Sequence, residues 1–297
     1  MNFSQTYAGY IAIVGRPNIG KSTLLNRILG RKISITARKP QTTRHRILGI
    51  KTIANWQAIY VDTPGLQNKI RSRLSYYMNM VVLGVLTDVD IVIMVVGTVW
   101  RQEDEVVLQS LRKVKCPIIL VINKIDLVKQ KKQLLEKIQQ MSQKYQFAAV
   151  IPLAAQNGVN LPALEQVVQK LLPENPFFFP LEQVTDRDEK FLIAEIIREK
   201  LIRFLGQEIP YVLSVMIDQL VIKQGIVRIA ATIYVERNGQ KIIILGKNGE
   251  GLKKIGTLAR RELENLLTQK VFLQLWVKVK SAWTNNQSLL QQFGYGN

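Results

Sequence analysis

Apolar residues in this chain come in runs of five or six separated by amphipathic stretches, the pattern of buried strands alternating with helices. Gly9-Tyr-Ile-Ala-Ile-Val14, Trp56-Gln-Ala-Ile-Tyr-Val61 and Ile118-Ile-Leu-Val-Ile122 read as strands. Thr23-Leu-Leu-Asn-Arg-Ile-Leu29 reads as an amphipathic helix. The longest apolar stretch, Met80 to Val96, is interrupted by Asp88 and Asp90. A bilayer span needs about 20 uninterrupted residues, so this stretch predicts a helix end running into a buried strand.

The alternation breaks at Leu172-Pro-Glu-Asn-Pro-Phe-Phe-Phe-Pro-Leu181. Pro173, Pro176 and Pro180 cannot continue a helix and favour an extended connector. Phe177 to Phe179 are too apolar for a solvated tether and are expected to pack against a domain. Beyond it, Phe191 to Leu205 predicts an amphipathic helix stopped by Gly206. Tyr211–Ile217 and Ile226–Glu236 predict strands, and Gln240–Gly246 suits either a strand or a short helix. Leu252–Leu267 predicts a helix and Val271–Val279 a closing strand. The expected architecture is α/β: residues 1–172 with a mostly parallel sheet, a linker over 173–190, and a smaller α+β domain over 191–297.

Between the first strand and the first helix stands Gly15-Arg-Pro-Asn-Ile-Gly20-Lys21-Ser22. Gly15 and Gly20 keep side chains out of the way of backbone N–H groups that cradle phosphate oxygens, and the helix N-terminus adds a positive dipole end. In such a loop Lys21 reaches the β- and γ-phosphates and the Ser22 hydroxyl ligates magnesium. Asn18, Ile19 and Thr23 complete the nucleotide-binding set here. The competing reading is a glycine turn with a snorkelling lysine. Asp62-Thr-Pro-Gly65 ends the Trp56–Val61 strand, where Asp62 can hold magnesium through water and the Gly65 N–H can meet a γ-phosphate. Between them, Arg38-Lys-Pro-Gln41-Thr42-Thr43-Arg44 is expected to order when a threonine closes on magnesium and γ-phosphate. Thr43 is favoured, with Thr42 its competitor.

Asn123-Lys124-Ile125-Asp126 follows the Ile118–Ile122 strand. A carboxylate at Asp126 accepts from the N1–H and exocyclic amine of guanine, a donor pair adenine lacks. Lys124 can lay its stem along the base. Farther on, Ala154 stands where guanine-nucleotide proteins place a serine, and the Ala155 N–H is the expected contact to the base oxygen. The phosphate loop and base reader together point to GTP with magnesium. A metabolic kinase would share the loop but not the base reader. An RNA-binding scaffold with a weak or inactive nucleotide site is the other alternative, opposed by intact Lys21, Ser22, Asp62 and Asp126.

Composition narrows the picture. At 297 residues and 47% hydrophobic, the chain can build two cores. A lone Cys116 excludes a disulfide framework, and one histidine, His45, excludes a histidine-rich metal site. No leader-like segment precedes the first strand, so a soluble cytoplasmic protein is expected. The net charge of +19 points to polyanion partners. It is concentrated: residues 1–61 hold ten Lys/Arg and no acid, and residues 221–280 hold twelve against four.

The second block contains Gly246-Lys247-Asn248-Gly249, between an apolar stretch and a basic helix. In K-homology domains such a G-x-x-G turn lets a nucleic-acid backbone lie close while a hydrophobic groove clamps four nucleotides. Lys253 and Lys254 would add phosphate contacts, as would Arg260 and Arg261 unless Glu262 and Glu264 engage them.

With these motifs in place the chain resembles the Era family of bacterial GTPases nearly end to end. The resemblance rests on residues 15–22, 41–45, 62–65 and 123–126, and on Ile-Ile-Arg-Glu-Lys at 196–200, the 246–249 turn and Leu-Trp-Val-Lys-Val-Lys at 275–280. It implies a P-loop GTPase domain followed by a type II K-homology domain. It also implies a monomer that binds small-subunit ribosomal RNA near its 3′ end during 30S subunit assembly, in some cases at the membrane periphery. Asn18 resembles a position at which related GTPases bind potassium, and reads equally well as a turn residue. Catalysis would rest on Lys21, Thr43 and Gly65. Leu66 stands where Ras-like enzymes carry a water-orienting glutamine, so slow turnover is expected.

Overall fold

The computed structural model describes residues 5–37, 39, 41–67, 70, 72–128, 131–205 and 212–295. Arg38, Pro40, Gly206 and Tyr211, named above as parts of the basic loop, the helix stop and a strand start, lie outside them. Contacts divide the chain into two compact units, the first running to Asp186 and the second from Arg187 onward. Ile35–Thr42 and Arg71–Tyr77 group with the second.

The first unit is a six-stranded sheet in the order β2-β3-β1-β4-β5-β6. Its strands are β1 (Tyr7–Val14), β2 (Ile47–Ile53), β3 (Trp56–Asp62), β4 (Ile91–Val96), β5 (Ile118–Ile122) and β6 (Ala149–Pro152). All pairings are parallel except β2 with β3. Every residue of β3, β4 and β5 is buried, as strands covered on both faces must be. The connecting helices are α1 (Lys21–Leu29), α2 (Arg73–Val85), α3 (Gln102–Leu111), α4 (Lys131–Ser142) and α5 (Leu161–Leu171). The apolar stretch from Met80 divides into the end of α2 and β4, and no helix among the described residues is long and apolar enough to cross a membrane.

The proline-rich connector is strapped to the sheet by its own backbone. Ala8 N–H donates to the Pro173 carbonyl at 3.1 Å, and Ile50 N–H to that of Val184 at 2.8 Å. The buried Gln57 side chain accepts from the amides of Phe178 and Phe179 and donates to the Phe179 carbonyl. Phe179 packs over Leu48, Ile50, Ile59 and Val61, and the Phe178 ring lies 5.3 Å from Tyr10. The aromatic run thus covers the outer strands.

The second unit holds α6 (Glu189–Phe204), β7 (Ser214–Lys223), β8 (Ile226–Val235), α7 (Asn238–Leu245), α8 (Glu250–Leu267), β9 (Lys270–Val279) and α9 (Gln287–Gln292). The stretch with two readings, Gln240–Leu245, belongs to helix α7. β8 pairs antiparallel with β7 and parallel with β9, so the two helices between β8 and β9 form the crossover that parallel pairing requires. α8 buries Gly251, Ile255, Ala259 and Leu263, a four-residue repeat on one stripe that packs with Val227, Ile229 and Val271. α6 opens on an Asp188 cap accepting from Phe191 N–H at 2.8 Å.

Candidate nucleotide site and nucleic-acid interface

The phosphate loop joins β1 to α1. Gly20 sits at φ 105°, and a Cβ there would lie 2.4 Å from the Asn123 carboxamide nitrogen, so both backbone and neighbour demand glycine. Lys21 is 6% exposed. Its ammonium donates to the carbonyls of Gly15 (2.9 Å) and Arg16 (3.1 Å), oxygens that hold it over the loop. Burial pushes its pKa down to about 8, with Asp62 opposing the shift and the Arg16 charge adding to it.

Three hydroxyls converge on one oxygen of Asp62. Ser22 donates to Oδ2 at 2.7 Å, Ser34 at 2.8 Å and Thr43 at 3.5 Å, while the Ser22 and Thr43 hydroxyls are 2.8 Å apart. Asp62 Oδ1 is buried with no hydrogen-bond partner. Burial pushes the Asp62 carboxyl above the usual range, opposed by the Ser22 hydroxyl, Lys21 and the other two hydroxyls. An oxygen-rich, partly unsatisfied set of this kind suits a hard divalent cation. Thr43 is the threonine placed here; the Thr42 hydroxyl donates instead to the Lys39 carbonyl at 2.6 Å. Gly65 lies against Pro17 of the phosphate loop, Leu66 packs into the core, and the Gln67 side-chain nitrogen lies 3.9 Å from Met78 Sδ.

Sequence reasoning missed Ser34. Asn26 on α1 pins it, accepting from the Ile33 and Ser34 amides at 3.0 Å and donating to the Ser34 carbonyl at 2.6 Å. Asn26, a carboxamide between Leu25 and Arg27 of an amphipathic helix, was the available signal.

Asn123 is a clamp. Its Nδ2 donates to the Ile19 carbonyl at 2.9 Å, and its Oδ1 accepts from the Lys124 amide at 2.7 Å and the Ala155 amide at 2.9 Å. The Ala155 N–H, expected at the base oxygen, therefore has a protein partner in this structure. Lys124 adopts φ 65° and its Nζ donates to the Asn18 carbonyl at 2.9 Å. Asp126 is exposed, on the 3-10 turn Ile125–Leu127, where it can reach a ligand. Thr23 lies half-buried on α1. Arg27, also missed from sequence, extends from α1 to the Ala155 carbonyl at 3.4 Å and to that of Gln156. Supports on both sides hold the loop where Ala154 lacks a serine hydroxyl.

In the second unit Gly246–Gly249 links α7 to α8. Gly249 sits at φ 80° with nothing within 4 Å of a would-be Cβ, so its backbone is open to an approaching strand. Lys247, Asn248, Lys253 and Lys254 are exposed, as are Ile242 (67%) and Ile243 (56%) on α7. Lys254 Nζ lies 5.6 Å from the Phe204 ring centre, and Arg260 pairs with Glu264 at 3.2 Å. Within the same unit, Thr36 N–H donates to Glu199 Oε1 at 2.9 Å, and the buried Arg198 donates to the Thr42 carbonyl.

Residues 10–124 match the family model described as 50S ribosome-binding GTPase, and residues 208–284 match that of the KH domain. The chain is 52% identical over 290 residues to GTPase Era of Coxiella burnetii (strain Dugway 5J108-111), covering 98% of both chains. It is 50% identical over 293 residues to GTPase Era of Actinobacillus pleuropneumoniae serotype 5b, covering 98% of this chain and 96% of the other. The crystal structure of a single-substitution variant of Aquifex aeolicus Era bound to GDP·AlF4⁻ superposes with a TM-score of 0.95 at 38% identity, covering 98% of this chain and all of that one. A structure of Era with MgGDPNP and nucleotides 1506–1542 of 16S ribosomal RNA gives the same score, identity and coverage.

Proposed function

Because the chain belongs to the Era family of GTPases, we propose that it couples GTP binding and hydrolysis to recognition of small-subunit ribosomal RNA near its 3′ end, assisting 30S subunit assembly. In this reading residues 1–172 serve the nucleotide, 173–190 connect, and 191–297 hold the RNA. The observation that carries it is the meeting of Ser22, Thr43 and Asp62 beside Lys21.

Ser22 and Thr43 would hold magnesium directly and Asp62 through water. A magnesium ion held there would supply positive charge to offset that of the nucleotide phosphates. Lys21 exchanges the carbonyls of Gly15 and Arg16 for phosphate oxygens, and the Gly65 N–H faces the γ-phosphate. Thr43 would exchange its hydrogen bonds to Ser22 and Asp62 for the metal and so hold its loop closed. Leu66 offers no polar atom to orient the attacking water, so turnover is slow. Asn18 is the candidate side chain for a potassium ion, tested by comparing hydrolysis in potassium and sodium salts.

The RNA half is supported by the open Gly249 backbone, the exposed Lys247, Lys253 and Lys254, and the relative solved with 16S ribosomal RNA. The protein acts in the cytoplasm as a monomer. Its basic blocks would also serve a peripheral contact with anionic lipid, tested by vesicle sedimentation. Crosslinking the protein to RNA in its own cells and sequencing the bound positions tests the central claim. Positions scattered over all transcripts, without enrichment at the small-subunit 3′ end, would overturn it.

A further inference from the structure

Strand β9 carries two side-chain patterns. One face, Val271, Leu273, Leu275, Val277 and Val279, packs against the helices. The other presents Lys270, Phe272, Gln274, Trp276 and Lys278, all exposed. Phe272 is 47% and Trp276 45% exposed, high values for large aromatic side chains within a strand. The register places Arg228 of β8 opposite Phe272, with its guanidinium 5.6 Å from the ring centre, and Thr232 opposite Trp276. Beyond Arg228, β7 contributes Val221 to the same row.

Asp218 lies at this face and is engaged by the Thr232 hydroxyl, from which it accepts at 2.7 Å. The face is thus cationic as well as aromatic, with Arg228, Lys270 and Lys278 around two open rings. It lies on the side of the sheet away from α8, which carries Lys253 and Lys254.

We propose that this outer face, built on Phe272, Trp276 and Arg228, is a second binding site for single-stranded RNA, taking unpaired bases by stacking. Charge complementarity selects the occupant. Protein interfaces are enriched in aromatics and arginine but depleted in lysine, whereas here lysines flank the rings along the strand. Basic side chains that follow a phosphate backbone between aromatic rings are how non-sequence-specific single-strand binders are built. A duplex buries its base faces in its own stack, so it offers the rings little.

Four residues along a strand place the two aromatics about 13 Å apart. Bases stacked in one strand rise about 3.4 Å each. The rings therefore take bases separated in sequence, with Gln274 between them available to a base edge or ribose. Because stacking tolerates any base, this site adds length and affinity rather than sequence choice. The proposal rests on the RNA-binding reading above but on residues outside the Gly246–Gly249 turn.

The test uses the full-length protein and a 20-nucleotide oligouridylate containing 5-iodouridine, with a four-nucleotide oligomer as the short probe. Irradiation should crosslink the long probe to the peptide containing Phe272 and Trp276. Phe272→Leu and Trp276→Leu should each weaken long-probe binding by about 5- to 150-fold, the range expected when a stacking ring is lost. Binding of the short probe and GTP hydrolysis should stay unchanged. Trp276→Phe, which keeps a ring, should retain most of the affinity and so separates lost stacking from lost folding. Gly249→Asp should weaken binding while the β9 crosslink persists. If Gly249→Asp has no effect and the leucine variants do, the turn assignment fails and the platform stands. Crosslinks confined to residues 242–254 with unaltered affinity in the leucine variants would overturn the platform. So would a Trp276→Leu effect on sedimentation alone, which would make this face a contact between copies of the chain.

Discussion

The guanidinium of Arg16 is held by the Asp104 carboxylate, with Nε 3.1 Å from Oδ1, so the phosphate loop is tied to the first turn of α3. Asp104 is fully buried and also accepts from the Arg101 amide at 2.9 Å, so one carboxylate both caps the helix and anchors the loop. Arg16 in turn carries a carbonyl that holds Lys21. Asp104→Asn preserves the cap acceptor but removes the charge. It should lower stability by about 1–3 kcal/mol and weaken GTP binding. A double-mutant cycle with Arg16→Met, read by thermal melts and nucleotide titration, checks this; additive effects would mean the pair does not support the loop.

Lys21 sits at about 8 in the nucleotide-free fold, below the 10.5 of an ordinary lysine. Between those values the unfolded chain binds more protons than the folded one. The lysine's contribution to apo stability is therefore lowest below about pH 8 and rises toward pH 10.5. Phosphate binding has the opposite demand, since it needs the ammonium. GTP affinity should fall as pH rises through about 8, approaching tenfold per unit, with proton uptake on binding. Titrations between pH 7 and 9 measure it, and Lys21→Arg should flatten the profile. A flat wild-type profile would show that Lys21 does not meet phosphate.

Asp126 is exposed and oriented by the turn that follows Asn123. Asp126→Asn should shift preference from guanine toward xanthine nucleotides, because an amide can donate to the additional carbonyl. Equilibrium binding of GTP and XTP decides the matter. Retained GTP preference would move the base contact elsewhere.

Gly249→Asp should abolish RNA binding by the turn while hydrolysis stays near wild type. Open space around a Cβ there means that the substitution meets no clash. The left-handed backbone costs about 1–2 kcal/mol, and the added charge repels phosphate. Gel shifts and hydrolysis on one preparation test it; undiminished affinity for the four-nucleotide probe would sink the assignment.

The nucleotide state should change RNA affinity. Thr43 reaches the Ser22 and Asp62 hydroxyl cluster, while the preceding Ile35–Thr42 groups with the second unit, where Glu199 and Arg198 bind its backbone. A nucleotide that moves Thr43 acts on a chain whose next residues are held by α6. RNA affinity should be higher with a GTP analogue than with GDP, by about 1–3 kcal/mol, and RNA should raise triphosphate affinity by the same factor. Equal RNA titration curves for both forms would mean independent modules.

The nucleotide chemistry was legible from residue order because its parts are local. A glycine-spaced loop between strand and helix, Asp62 at a strand end, and Asn123 to Asp126 after another strand each act through a short stretch of backbone. The K-homology reading had the same basis, in a G-x-x-G turn ahead of a basic amphipathic helix. What only the tertiary structure decided is which side chains meet across the sheet. Thr43 rather than Thr42 reaches Asp62 because its neighbour's hydroxyl is turned back onto Lys39. Ser34 joins the cluster because Asn26 holds its backbone, and Asn123 spends its carboxamide on Ile19, Lys124 and Ala155. Gln240–Leu245 became a helix against a pattern that also suited a strand. Period-2 and period-3.6 readings converge over so short an apolar run, and packing makes the choice. Likewise, residue order predicted Val271–Val279 as a closing strand, but only the helices seated on one face showed which side of it is left to solvent. Sequence spacing sets what a backbone segment can present; contacts between distant segments set what it meets.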